Sequence, residues 1–69
     1  MRTAFETGNV VRANISAQGM TAGETYIVLD VLTQETPFGG FATYILADRN
    51  KELRVGNGHM LLTLVVRNA

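Results

Sequence analysis

Residues 24–32 read Glu-Thr-Tyr-Ile-Val-Leu-Asp-Val-Leu, and in an extended chain they put apolar side chains on both sides: Tyr26 and Val28 on one, Ile27 and Leu29 on the other. The run is rich in β-branched and aromatic residues, which lose side-chain freedom in a helix and suit a pleated surface. No segment sustains the three-four spacing of an amphipathic helix, so the chain reads as all-β, with at most one helical turn near residues 58–61. A small β-barrel wets one face of each strand. A strand that is apolar on both faces therefore implies a second surface that wants covering, by another copy, by another protein, or by the chain's own N-terminal arm, residues 1–8 with Phe5.

Size sharpens this expectation. At 69 residues the sequence is read as a single domain, near the size at which a hydrophobic core alone is marginally stabilising, and there is no cysteine to supply disulfides or thiolate metal ligands. Oligomerisation is the remaining supplement. Six basic and six acidic residues cancel, which handicaps binding to nucleic acid, where affinity comes from Lys and Arg releasing counterions from phosphates. No apolar run approaches the roughly 20 residues that span a bilayer, and residues 1–6 hold no apolar stretch of the kind a signal peptide needs, so a cytoplasmic protein without membrane association is expected.

Five runs read as strands. Residues 9–15 alternate, with Val11, Ala13 and Ile15 on one face and Val10, Arg12 and Asn14 on the other. Residues 18–23, with two glycines, form a loop, and residues 24–32 the second strand. Residues 33–40 contain the only proline and Gly39-Gly40, and are read as a connection. Residues 41–47 follow with Tyr44 and Leu46 on one face and Phe41, Thr43 and Ile45 on the other. Asp48-Arg49-Asn50-Lys51 is a tight turn, and residues 52–55 a short strand with Leu53 and Val55 inward. Residues 60–66 end the pattern, with Met60, Leu62, Leu64 and Val66 in phase.

This order of parts resembles a five-stranded Src-homology-3-like barrel. The likeness is carried by Gly23-Glu24-Thr25-Tyr26-Ile27-Val28, by Thr43-Tyr44-Ile45-Leu46-Ala47-Asp48 running into the tight turn, and by Val55-Gly56-Asn57-Gly58-His59, where that fold places a helical turn before its last strand. It spans about Val10 to Val65 and is one of pattern. Members that grip proline-rich peptides carry a Trp on the third strand and an acidic first loop; here there is no Trp, and Met20 and Thr21 stand where the acidity would be, so that activity is disfavoured. The compact chain also resembles small accessory proteins of phages and mobile elements. Fold analogy does not transfer function.

Catalytic chemistry is thinly represented. Ser16 is the only serine and His59 the only histidine, with no motif around either, so no enzyme activity, no metal and no cofactor is expected. Gly39-Gly40 lacks the Lys and helix of a phosphate cradle, and Asn14-Ile15-Ser16 is a chance match to a glycosylation acceptor.

Two candidate surfaces remain. Ile27 and Leu29 should lie beside Phe41, Thr43 and Ile45 if the second and third strands pair, merging into an apolar patch, and Phe38, between Pro37 and Gly39, either caps a barrel mouth or stands out as an anchor. Four such side chains burying a few hundred Å² at roughly 25 cal/mol per Å² would contribute several kcal/mol, comparable to the whole stability of so small a domain. The expected function is thus a non-catalytic binding module whose partner is a further copy of the chain or another protein. The alternative is a nucleic-acid or polar-ligand surface built from Arg12, Arg49, Lys51, Arg54, Asn57 and His59, with Tyr44 or Phe38 stacking on bases.

Overall fold

The computed structural model describes residues 3–56 and 58–67. These form one antiparallel sheet of five strands: β1 (Val10–Ala13), β2 (Thr25–Thr36), β3 (Gly39–Asp48), β4 (Lys51–Gly56) and β5 (Leu62–Val66), with a single helical turn, α1 (Gly58–Leu61), before the last. The order across the sheet is β4-β3-β2-β1-β5. The all-β reading and the position of the helical turn hold. The barrel does not: β4 and β5 lie at opposite edges and are not paired, so the sheet is not closed. The chain passes from one edge to the other through α1, and the seam that a ladder would close in a barrel is bridged by that helical turn.

The connection read over residues 33–40 is mostly strand. β2 runs on to Thr36 and β3 resumes at Gly39, with Thr36 opposite Gly39 and Pro37-Phe38 as a two-residue turn. Proline sits at the turn itself, where no ladder donor is needed. Gly39 takes a φ of 123°, a region an L side chain rarely enters, and the Thr36 hydroxyl closes the turn by accepting from Phe38 N (3.2 Å) and donating to Gly39 O (2.6 Å). Because residues 32–41 are all exposed or nearly so, their strand character left no alternation of apolar and polar residues to read.

One face of the sheet holds the core. Val11 and Ala13 of β1, Tyr26 and Val28 of β2, Tyr44 and Leu46 of β3, Leu53 and Val55 of β4 and Leu62 of β5 form one buried cluster, each at the alternate positions that strand geometry requires. Three non-strand pieces cover it. Phe5 of the N-terminal arm meets the Tyr44 ring edge to face at 5.3 Å, Met20 enters from the first loop, and Gly58 of α1 lies against Tyr44. Both tyrosine hydroxyls accept backbone N–H groups from these covers, Tyr44 from Ala4 (3.0 Å) and Tyr26 from Thr21 (2.9 Å). An unmet donor at such sites would cost about 1–3 kcal/mol, so these bonds fix where arm and loop cross the sheet.

Two bulges adjust which side chains point inward. In the β2–β3 ladder Val28 faces Leu46 and Asp30 faces Ile45, leaving Leu29 as the extra residue. Strict alternation from Tyr26 and Val28 would turn Asp30 into the core. With Leu29 extra, Asp30 stays outside and Val31 instead packs against the core. In the β1–β5 ladder Val11 faces Leu64 and Val10 faces Val66, so Val65 is extra and Val66 is turned away from Leu62 and Leu64. The phase read through Met60, Leu62, Leu64 and Val66 is corrected at both ends: Met60 is exposed on α1, and Val66 is exposed on the outer side.

Candidate interaction face

Opposite the core, the sheet presents its outer face. Across four strands the register aligns Ala47 with Ile27, Ile27 with Val10 and Val10 with Val66, an unbroken apolar row. Ile27 is 50% exposed, and Leu29, Leu32 and Phe41 are exposed to a similar degree. Leu32 is opposite Thr43 and thus diagonal to Phe41, near enough for large side chains to meet. Phe38, at the hairpin tip, is 100% exposed. It is open to solvent and caps no mouth. The N-terminal arm is on the core side, as Phe5 shows, so among the described residues it does not cover this face.

Ile45 differs from its expected role. It points outward, between Asp30 on one side and Arg54 on the other, yet it is only 7% exposed and does not belong to the core cluster. Being in the central strand of a three-stranded region, it is flanked by both directly opposite neighbours, which are close enough to shield it. It is the floor of the outer patch rather than part of its accessible surface.

The candidate polar surface is not assembled. Arg12 is on β1 opposite Thr25, and Arg54 on β4 opposite Ile45; three strand spacings and about four residues along the strands separate them by roughly 20 Å. Arg49 and Lys51 share the β3–β4 turn, with Lys51 Nζ 3.8 Å from Asp48 Oδ2 on an exposed edge and Glu52 next in line. His59 is exposed on α1, and Asn57 lies outside the described residues. Tyr44 is 1% exposed, its ring held by Phe5 and its hydroxyl by Ala4, so it is a core residue and cannot stack on a base. Acidic residues alternate with these cations, and among the described residues no continuous basic stripe forms.

Two of the clefts bordered by described residues lie beside the sheet. One of about 590 Å³ lies between the β3–β4 turn and the loop before β2, bordered by Glu24, Tyr26, Asp48, Arg49 and Lys51, two acids and two bases that cancel. The other, about 370 Å³, lies between the arm and β5, bordered by Thr3, Glu6, Asn9, Leu64 and Arg67. Asn9 is buried; its Oδ1 accepts from Glu6 N (2.9 Å), turning the arm inward, while its Nδ2 meets no acceptor. The Ser16 hydroxyl accepts from Ala22 N within the first loop. Among the described residues no group of three His, Cys, Asp or Glu converges as a metal site would require, and no helix is long and apolar enough to cross a membrane.

No protein-family model, curated protein or solved structure matches the chain. The functional reading therefore rests on the residues.

Sequence reasoning found Ile27, Leu29 and Phe41 as outward apolar residues and left Phe38 open between a cap and an exposed residue. It missed Leu32, Val10 and Val66. Val10 was legible from the alternation of β1, but Leu32 and Val66 follow bulges, which leave no mark in a sequence that is apolar on both sides of them.

Proposed function

We propose that the protein is a non-catalytic binding module that associates with further copies of itself through the outer face of β2 and β3, with the Phe38 tip as an added anchor. One observation carries this reading: on a face that no described residue of the chain covers, the apolar row Ala47–Ile27–Val10–Val66 is joined by half-exposed Leu29, Leu32 and Phe41, with only Asp30 and Thr43 set among them. Contiguous apolar surface of this kind on a small domain marks an interaction site. The resemblance to Src-homology-3-like domains is supported by the helical turn between β4 and β5 and by the tight turn between β3 and β4, and it bears on architecture alone.

The test is solution mass against concentration, by sedimentation or light scattering. Ile27→Asp places a charge at the centre of the row and Phe38→Ser removes the anchor; both positions are exposed, so the fold should survive. Each substitution is expected to weaken association by about tenfold or more, the equivalent of 1.4 kcal/mol. A wild-type chain that stays monomeric at hundreds of micromolar, or an association that neither substitution alters, would overturn the reading.

A further inference from the structure

The two edges of the sheet are treated differently. β4 is guarded: Lys51, Glu52 and Arg54 are charged, and the Gln18 amide lies on its last residue, donating from Nε2 to Gly56 O (3.0 Å) and accepting at Oε1 from Gly56 N (2.9 Å). These are the devices by which sheet edges avoid pairing with other chains. β5, Leu62-Thr63-Leu64-Val65-Val66, has no charge and no proline, and its ladder on the far side from β1 is unfilled among the described residues. Exposed Met60 stands before it, and exposed Val65 and Val66 at its end.

We propose that β5 is a second self-association site, at which two copies pair their β5 edges antiparallel about a two-fold axis through Thr63. The hydrogen-bonding parity fixes this register. Ala13 directs both backbone groups at β2, accepting from Gly23 N and donating to Glu24 O, whereas Asn14 donates to Leu61 O. Arg12, opposite Thr63, therefore faces β5, and Thr63 faces β1. The outward groups belong to Leu62 and Leu64. An antiparallel partner satisfies them when Leu62 of one copy meets Leu64 of the other, which puts Thr63 opposite its own counterpart on the axis. This arrangement sets no like charges against each other, because the strand has none, and it brings a partner's leucines beside Leu64, the half-buried rim of the core along the unclosed side of the sheet. A guarded foreign strand would lack that self-complementarity, and an isologous two-fold closes after two copies.

The inference goes beyond the outer-face reading, since edge and face are different surfaces. Thr63 is exposed and points outward, so its replacement leaves the core untouched. On the axis, paired side chains come within about 5.5 Å, so Thr63→Lys and Thr63→Glu should each repel their own copy, and an equimolar mixture should pair. Expected by light scattering are a dissociation constant raised at least tenfold for each variant alone and a return to the wild-type mass or above in the mixture, with Thr63→Val unchanged and circular dichroism alike in all four. A mixture no heavier than its components, or variants that associate as the wild type does, would overturn the edge pairing. If Ile27→Asp weakens association while the Thr63 set does not, the outer face stands and the edge falls; the reverse pattern removes the outer face and keeps the edge.

Discussion

The inner and outer faces of the β2–β3 ribbon carry similar apolar content: Tyr26, Val28, Tyr44 and Leu46 inside, Ile27, Leu29, Ile45 and Phe41 outside. Their fates differ because of what lies over them. The inner residues sit beneath Phe5, Met20 and α1 and are nearly inaccessible, whereas the outer ones, Ile45 apart, are about half open. Hydrophobicity along a strand thus states how much surface seeks cover but not where the cover comes from. Among the described residues the covering segments, Phe5, Met20 and α1, all lie on one side, which leaves the other open.

The sharpest way to break the contrast is to remove the same kind of group from each side. Leu46 is fully buried, so Leu46→Ala deletes core contacts and leaves a cavity, for an expected loss of about 3 kcal/mol in urea or thermal unfolding. Truncation of half-exposed Ile27 to Ala should cost the monomer less than about 1 kcal/mol. Equal losses at both sites, measured at a concentration where the chain is monomeric, would mean that the outer face is already covered within the single chain.

The cover itself can be probed at Gly58. A Cβ there would come within 2.5 Å of Tyr44 Cδ2 and 3.2 Å of Leu62 Cδ1, so α1 approaches the core as closely as a residue without a side chain permits. Gly58→Ala must push the helical turn or the Tyr44 ring aside, and Tyr44 is already pinned by Phe5 and Ala4. Overpacking of this kind costs about 1–3 kcal/mol, more than helix propensity returns by replacing glycine. If Gly58→Ala left stability unchanged or raised it, α1 would not be seated on Tyr44.

Much of the fold was legible because burial on one side leaves a period of two. Val11 with Ala13 and Tyr44 with Leu46 were each grouped on one face, and Leu53 and Val55 placed inward, from alternation, and the turn at Arg49-Asn50 came from its residue types; Ile15, grouped with Val11 and Ala13, lies past the end of β1 and is exposed. Three things were not. The length of the β2–β3 hairpin was hidden because residues 32–41 touch little core and so carry no pattern. The open seam was hidden because closure depends on which edges meet, and no local sequence signal reports that. The outer row was only half seen: Ile27 and Leu29 were named from the surplus of apolar residues, but Leu32 and Val66 follow bulges that reverse the phase, and Ile45 was expected in the open where its neighbours on both sides enclose it. The separation of Arg12 from Arg54 was hidden for the same reason as the seam. Arg12 and Arg54 are near in no sense that the sequence measures, and two strands lie between theirs.

The bulge at Leu29 offers the finest test of how the two faces are divided. In a regular strand, deleting one residue turns every later side chain to the opposite face, which here would carry Asp30 to the core side and expel Val31. In the observed ladder Leu29 is already surplus: Val28 is paired with Leu46 and Asp30 with Ile45, so removal of Leu29 leaves Val28 inward, Asp30 outward and Val31 inward in unbroken alternation. Deletion of Leu29 should therefore preserve the fold and the pairing from Asp30 to Thr36, at a cost of about 1 kcal/mol or less, because an exposed residue goes and a straighter ladder replaces the kink. Deletion of Ile27 leaves the same two residues between Tyr26 and Asp30, so the bulge absorbs it too, but with Val28 turned outward and Leu29 forced into the fully buried place of Val28, at an added cost of about 1–3 kcal/mol. Amide chemical shifts and cross-strand contacts around Val31 and Tyr44 would report both outcomes. A Leu29 deletion that unfolds the hairpin would show that the strand is regular, and that the division of its side chains between core and outer face arises some other way.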